Sequence, residues 1–262
     1  MIDWVNLSIQ PNLLALSMVR LSIPSSCSHL ADMMTAAFLT RVQWGLIGLS
    51  LIIGLIFALF PQIDLVIARL FYLGEGHFVG ENELVDLLRR IGYFTPASVL
   101  ILSLVTWGLA KWKKNLTPAP SGRAVLFLCL SMALGPGLLV NLILKDHWHR
   151  PRPVQVVEFQ GEMEFRPWYR LDGQCQVNCS FVSGEASAAF WMLAPALITP
   201  GPWQGPAMVG ALVFGALVGL LRMALGGHFL SDVLLAATLT SLVVLALYRL
   251  LYPSRNTPPP QS

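Results

Sequence analysis

Long apolar runs alternate with short polar breaks along this chain, and that alternation limits what it can fold into. Apolar stretches cover residues 44–60, 93–110, 124–144, 183–199, 207–225 and 229–251. Each approaches the roughly 20 residues that a helix needs to cross the hydrocarbon core of a bilayer, the first with help from Leu39 and its neighbours. In lipid, every backbone polar group must be satisfied within the structure, and continuous apolar runs of this length do that as helices. Composition agrees, with 55% hydrophobic and 12% charged residues and a mean hydropathy of +0.64. A soluble domain carries about 25% charged residues. The fold expected is all-α: a six-transmembrane-helix bundle, with short interfacial helices on its outer face supplied by residues 61–92. In that stretch Asp64, Arg69, Glu81, Asp86, Arg89 and Arg90 alternate with Ile, Leu and Phe, as in a helix lying at an interface. Residues 42–252 are read as one membrane-embedded domain. Residues 1–41 form an N-terminal extension or interfacial segment, broken by Pro11, Asn12 and Arg20 and without a clean cleavage site. Met33 or Met34 as the true start stays open. The Pro-rich residues 253–262 are expected to be disordered.

Charge sets the orientation. Lys111, Lys113, Lys114 and Arg123 mark one loop as cytoplasmic, and Arg41, Arg249 and Arg255 agree with it. Residues 61–92, 145–182 and 226–228 then fall on the opposite face. Lys145, Arg150 and Arg152 violate the positive-inside rule there, and a violation clustered on one face suggests charges kept for chemistry. A net charge of +3 without a basic run gives no sign of nucleic acid. No Cys or His set has zinc spacing, so no metal is expected. Cys129 sits in an apolar run and reads as a small core residue. Cys175 and Cys179 lie four apart in a polar loop; whether they pair is left open by the spacing and depends on the redox compartment.

Arg222, His228 and Asp232 are ionisable groups inside sequence that otherwise reads as membrane. Burying such groups is costly, which favours a functional site over structural histidine. If a helix starts near Gly226 and Gly227, His228 and Asp232 share one of its faces. A carboxylate there can bond one imidazole nitrogen and leave the other free to attack. Arg222 ends the preceding helix and suits forked binding of phosphate.

Three segments converge on the outer face. The first runs from Lys145 through six residues to Arg152 and Pro153. The second runs from Ser180 to Glu185, with Val182, Ser183, Gly184 and Glu185 as its core. The third is Leu221 and Arg222, then His228, then Asp232. Together, over about residues 93–250, they resemble the type 2 phosphatidic acid phosphatase superfamily, which includes membrane lipid phosphatases and vanadium haloperoxidases. The resemblance implies that His228 forms a phosphohistidine, that Asp232 orients it, and that Lys145, Arg152 and Arg222 clamp the phosphate. Ser183 and the Gly184 N–H would add donors. Independently, a helix opening at Ser183 and Gly184 would offer an anion its free N–H groups, and three cations can stabilise phosphoryl transfer without a metal or other cofactor. Leu221 replaces a family Ser. Glu185 replaces the family His thought to protonate the leaving group; a Glu can do so only when it carries a proton, and His147 and His149 are alternative donors.

The leading expectation is an integral membrane lipid phosphatase at the outer face of a bacterial inner membrane. Its substrate would be a lipid phosphate or diphosphate: lipid A, undecaprenyl diphosphate, phosphatidylglycerol phosphate or phosphatidic acid. The alternatives are a lipid phosphotransferase with the same intermediate, and a non-catalytic lipid-binding or transport protein. No obligate protein partner is evident. A transporter built on internal repeats is disfavoured, because the two halves show no repeat and the charges sit at one end of the spans.

Overall fold

The computed structural model describes residues 36–113 and 119–253. The expectations for residues 1–35 and for the tail from 254 onward lie outside the described residues. The described chain is mostly helical, and five of its helices are long and apolar enough to cross a membrane.

Helix α1, Ala36–Leu59, has 24 residues, about 36 Å at 1.5 Å per residue, enough to cross the core. Trp44, Leu51, Ile52 and Leu55 point outward, as a lipid-facing surface requires. Pro61 follows, and α2, Gln62–Arg69, turns away with Asp64 in its first turn. The outer region of 61–92 differs from expectation beyond this point. A two-stranded hairpin follows, β1 (Tyr72–Gly74) and β2 (His77–Phe78). Residues from 83 onward belong to one 31-residue helix, α3, Glu83–Lys113. The Asn82 side chain accepts from the Val85 N–H and caps that helix. Asp86 then pairs with Arg89 and Arg90 one turn on, at 3.2 and 2.8 Å. These polar contacts carry the helix past the apolar boundary at which hydropathy ends the span.

Helix α4, Gly122–Met132, starts on a Ser121 cap and continues as a π-helix over Ala133–Leu144. That wider helix contains Pro136, whose carbonyl accepts from the Asn141 amide at 2.7 Å. A last α-turn, Lys145–His147, delivers the chain to the outer loop.

The expected fourth span, 183–199, is two short helices, α5 (Gly184–Phe190) and α6 (Leu193–Leu197). Pro195 has no N–H to continue the ladder, and Trp191 and Met192 form the break. This segment is the most enclosed in the bundle: Ala186, Ala189, Trp191 and Ala194 are fully buried. Among the described residues five helices are thus long and apolar enough to span, and the fourth expected span is present as a broken pair. Helices α7, Gln204–Ala224, and α8, Leu230–Leu251, complete the bundle. Helix α8 packs on α1 and α5, and α7 packs on α5 and α6.

Candidate active site

The site is built where α7 gives way to α8. Helix α7 ends with Gly226 and Gly227 donating back to the carbonyls of Met223 and Arg222. Gly226 is required by its backbone, and Gly227 leaves room for the Arg222 side chain. Gly226 has φ +61°, and a Cβ on Gly227 would lie 2.6 Å from the Arg222 guanidinium. The chain can thus fold back under Arg222. The Val154 N–H donates to the Gly226 carbonyl, which ties the loop carrying Arg152 and Pro153 to the same point.

His228 is buried. Its Nδ1 donates to the Ser180 carbonyl at 2.7 Å. Asp232 was expected to make that bond. Its nearer oxygen instead lies 3.8 Å from Nδ1, close enough for charge but too far for a hydrogen bond. The carboxylate is occupied elsewhere. It accepts from the Ser180 hydroxyl at 2.6 Å, the Phe229 N–H at 2.9 Å and Arg150 at 2.5 Å. Among the described residues no hydrogen bond engages His228 Nε2, so this nitrogen is available to react. Burial, joined by the positive charges of Arg222 and Arg152, drives the imidazole down to about 4 against the pull of Asp232. A neutral ring with the proton on Nδ1 carries its lone pair on Nε2.

Arg222, Arg152 and Glu185 form the other side. Arg222 is buried and pairs with Glu185 at 3.4 Å. Glu185 Oε1 also takes Arg89 of α3 at 3.1 Å. Arg222 Nε and Glu185 Oε2 are buried with no hydrogen-bond partner among the described residues. Arg152 donates to the Asn178 carbonyl at 2.9 Å, and its countercharges are Glu185 and Asp232. Ser183 caps α5 by accepting from Ala186, and its own N–H donates to the Asp232 carbonyl. A Cβ on Gly184 would meet the Asn141 side-chain oxygen at 2.4 Å, so any larger residue there would have to displace that side chain. Because α5 has seven residues, it contributes local N–H groups rather than the dipole of a full span. Lys145 opens the turn that follows the π-helix and is half-buried.

The two alternative acids have other attachments. His147 Nδ1 lies on the Ile143 carbonyl of its own helix, and His149 Nδ1 on the Cys175 carbonyl, each at 2.9 Å. Cys175 and Cys179 form a disulfide. Sequence reading missed Asp64 and Arg89 as parts of this cluster, and it placed Ser180 in the converging segment without giving it a role. It noted Arg150 only as a charge on the wrong face, and that violation was the one signal available.

Comparison with known proteins agrees with the geometry. The PAP2 superfamily profile matches residues 124–256. The lipid A 4'-phosphatase of Francisella tularensis subsp. novicida is 36% identical over 75% of this chain and 89% of its own length. Those of Rhizobium etli and Rhizobium leguminosarum are 36% and 35% identical over 73% of this chain, covering 79% and 88% of their own lengths. No solved structure matches the chain. A site with this residue set at the ends of membrane helices, and relatives of this closeness, place it: the chain belongs to the PAP2 superfamily, in its membrane lipid phosphatase branch.

Proposed function

We propose that the protein removes the 4'-phosphate of lipid A through a phosphohistidine on His228, in a single membrane-embedded domain over residues 42–252. The lipid assignment rests on three relatives that bear that name. The chemical assignment rests on one observation above the rest: Arg222 Nε, buried without a partner, beside a neutral His228. A phosphoryl oxygen is the acceptor that such a guanidinium lacks.

The steps follow from the groups present. The phosphate enters against Arg222, Arg152 and Lys145, with the Ser183 hydroxyl and Gly184 N–H as further donors. His228 Nε2 forms a bond to phosphorus as the bond to the 4'-oxygen breaks. That oxygen takes a proton from Glu185. Water then attacks the phosphorus, the N–P bond breaks, and Glu185 recovers a proton from that water. The phosphate seated on Arg222 would compete with Glu185 for that guanidinium.

The proposed location is the inner membrane, with the site facing the periplasm. The disulfide in the site loop suits an oxidising compartment, and Lys111 and Lys113 close the far end of α3. The test is purified protein with lipid A, read by mass spectrometry for loss of the 4'- or the 1-phosphate and by free phosphate. Expected is selective 4'-loss with stoichiometric free phosphate, absent in His228→Ala. Loss of the 1-phosphate alone would overturn the substrate position. Phosphate passed to another lipid would make the enzyme a transferase, and turnover by His228→Ala would remove the intermediate.

A further inference from the structure

Arg150 stands two residues before Arg152, yet its partners are different. Its side chain is fully buried. One nitrogen meets Asp232 at 2.5 Å and Ser231 at 2.8 Å, another meets Asp64 at 2.8 Å, and Nε donates to the Arg166 carbonyl at 2.9 Å. The Phe229 ring lies 4.5 Å from the guanidinium carbon. Asp64, also buried, accepts from the Ser231 N–H at 2.9 Å and the Ser231 hydroxyl at 2.6 Å. It thereby satisfies a free N–H in the first turn of α8, the helix that carries Asp232.

We propose that Arg150 and Asp64 are positioning residues for the reaction of His228: they hold the Asp232 carboxylate where its charge reaches the imidazole without taking the Nδ1 hydrogen bond. This rests on His228 being the nucleophile. A buried carboxylate beside an imidazole would ordinarily accept its N–H. Here Arg150, Ser180 and Phe229 already occupy Asp232, and the Ser180 carbonyl sets the tautomer instead. Stability is a weak reason to keep such a network, because well-packed apolar residues often replace a buried ion pair at no loss. Charge gives a better one. Asp64, Arg150 and Asp232 sum to a single negative charge. The ring keeps its Nδ1 proton while Nε2 bonds to phosphorus, so it becomes a cation, and the cluster is then neutral. With neither Arg150 nor Asp64 the net charge would be the same, but all of it would sit on Asp232 beside His228, without the cation that now lies against that carboxylate.

Several charged groups face His228. Asp232 does so from α8, Arg222 from the end of α7 and Arg152 from the outer loop. Glu185 on α5 faces Arg222, and Arg150 and Asp64 lie behind Asp232. Arg150→Met alone would strand two buried carboxylates, so the informative variant is Asp64→Asn with Arg150→Met, which removes a cation and an anion together. Kinetics on purified protein should show KM unchanged and kcat lower by about 10- to 100-fold, the usual cost of an outer-shell partner. The acid limb of kcat/KM should move up, because Asp232 then acts on His228 unopposed. A purely structural role would not move that limb. Wild-type kcat and an unmoved limb, with His228→Ala inactive, would overturn the proposal. Turnover by His228→Ala would instead break the nucleophile reading. If the double variant does not fold, Asp64→Asn alone decides: it is isosteric and leaves Arg150 paired, and a kcat at the wild-type value would overturn the proposal equally.

Discussion

On one side of His228, the buried charges are matched. Asp232, Arg150 and Asp64 alternate in sign, and each lies within 2.8 Å of the next. On the other side they are not. Arg222 and Glu185 meet at 3.4 Å through one nitrogen and one oxygen, while Arg222 Nε and Glu185 Oε2 make no hydrogen bond. Low dielectric makes such orphaned groups costly. The closed side therefore reads as scaffold, complete before substrate arrives. The open side is held unsatisfied, and an incoming phosphate would relieve it. A site that must bind, transform and release an anion needs both.

The sharpest way to break this contrast is at Glu185, which sits on the open side and replaces a His of the family pattern. Its amide can hydrogen-bond but cannot transfer a proton. General acid catalysis is typically worth about 10²- to 10⁴-fold, so Glu185→Gln should cost that range in kcat with a lipid phosphate. The loss should shrink with p-nitrophenyl phosphate, whose leaving group needs little protonation, and Glu185→His should keep part of the activity. An equal loss on both substrates would make Glu185 a positioning residue held by Arg89 and Arg222, and would return the acid role to His147 or His149.

How much of this was legible in the sequence follows from what each feature depends on. The spans at α1, α3, α4, α7 and α8 are composition, and composition is visible in one dimension. His228 and Asp232 were legible as a pair four residues apart, but not as two positions on one helical face: α8 starts only at Leu230, and His228 lies in the segment before it. Their hydrogen bonding was not legible, because Asp232 is claimed by Arg150 and Ser180, which are 82 and 52 residues away. Asp64 looked like one charge among several on an amphipathic stretch, and nothing local marks it as buried. Arg89 reaches Glu185 across 96 residues. The broken fourth span was hidden because its residues are apolar for a different reason, enclosure by the other helices rather than contact with lipid.

A second, smaller effect tests the closed side. As the proposed nucleophile His228 has to be neutral, and burial with Arg222 and Arg152 holds it down at about 4 rather than the ordinary 6.5. The sign is fixed by that direction. Protonation competes with attack only as pH falls through about 4, so kcat/KM, corrected for the substrate's own ionisation, should stay level from pH 7 to about pH 5. A His228 with an ordinary value would already have lost about tenfold one unit below 6.5. Stability moves in the same sense. Between about 6.5 and 4 the unfolded chain binds a proton that folded His228 refuses, so stability contributed above 6.5 is lost as pH falls across that window. An acid limb near 6.5, after correction for the substrate's ionisation, would show a solvated ring, and the closed side would not be closed.

The smallest effect expected is also the one that separates the two sides most directly, because a single loop serves both. The Cys175 and Cys179 disulfide encloses Asn178, whose carbonyl holds Arg152 on the open side. The next residue, Ser180, carries the carbonyl and hydroxyl that hold His228 and Asp232. Ser180 has anchors of its own. It is buried, and its N–H donates to the Arg150 carbonyl at 2.8 Å. Asn178 is exposed and sits at φ +54°, a conformation that costs a non-glycine residue energy unless its surroundings enforce it. Opening the ring with Cys175→Ser and Cys179→Ser should therefore release Asn178 and leave Ser180 in place. Arg152 would lose a fixed acceptor and bind phosphate less well, while His228 would keep its tautomer. The expected result is a KM raised by a few-fold, on the order of the net worth of one ordinary hydrogen bond, about 0.5–1.5 kcal/mol, with kcat and the acid limb unchanged. A fall in kcat with KM unchanged would mean that the disulfide supports the closed side instead, and the division of labour across His228 would have to be redrawn.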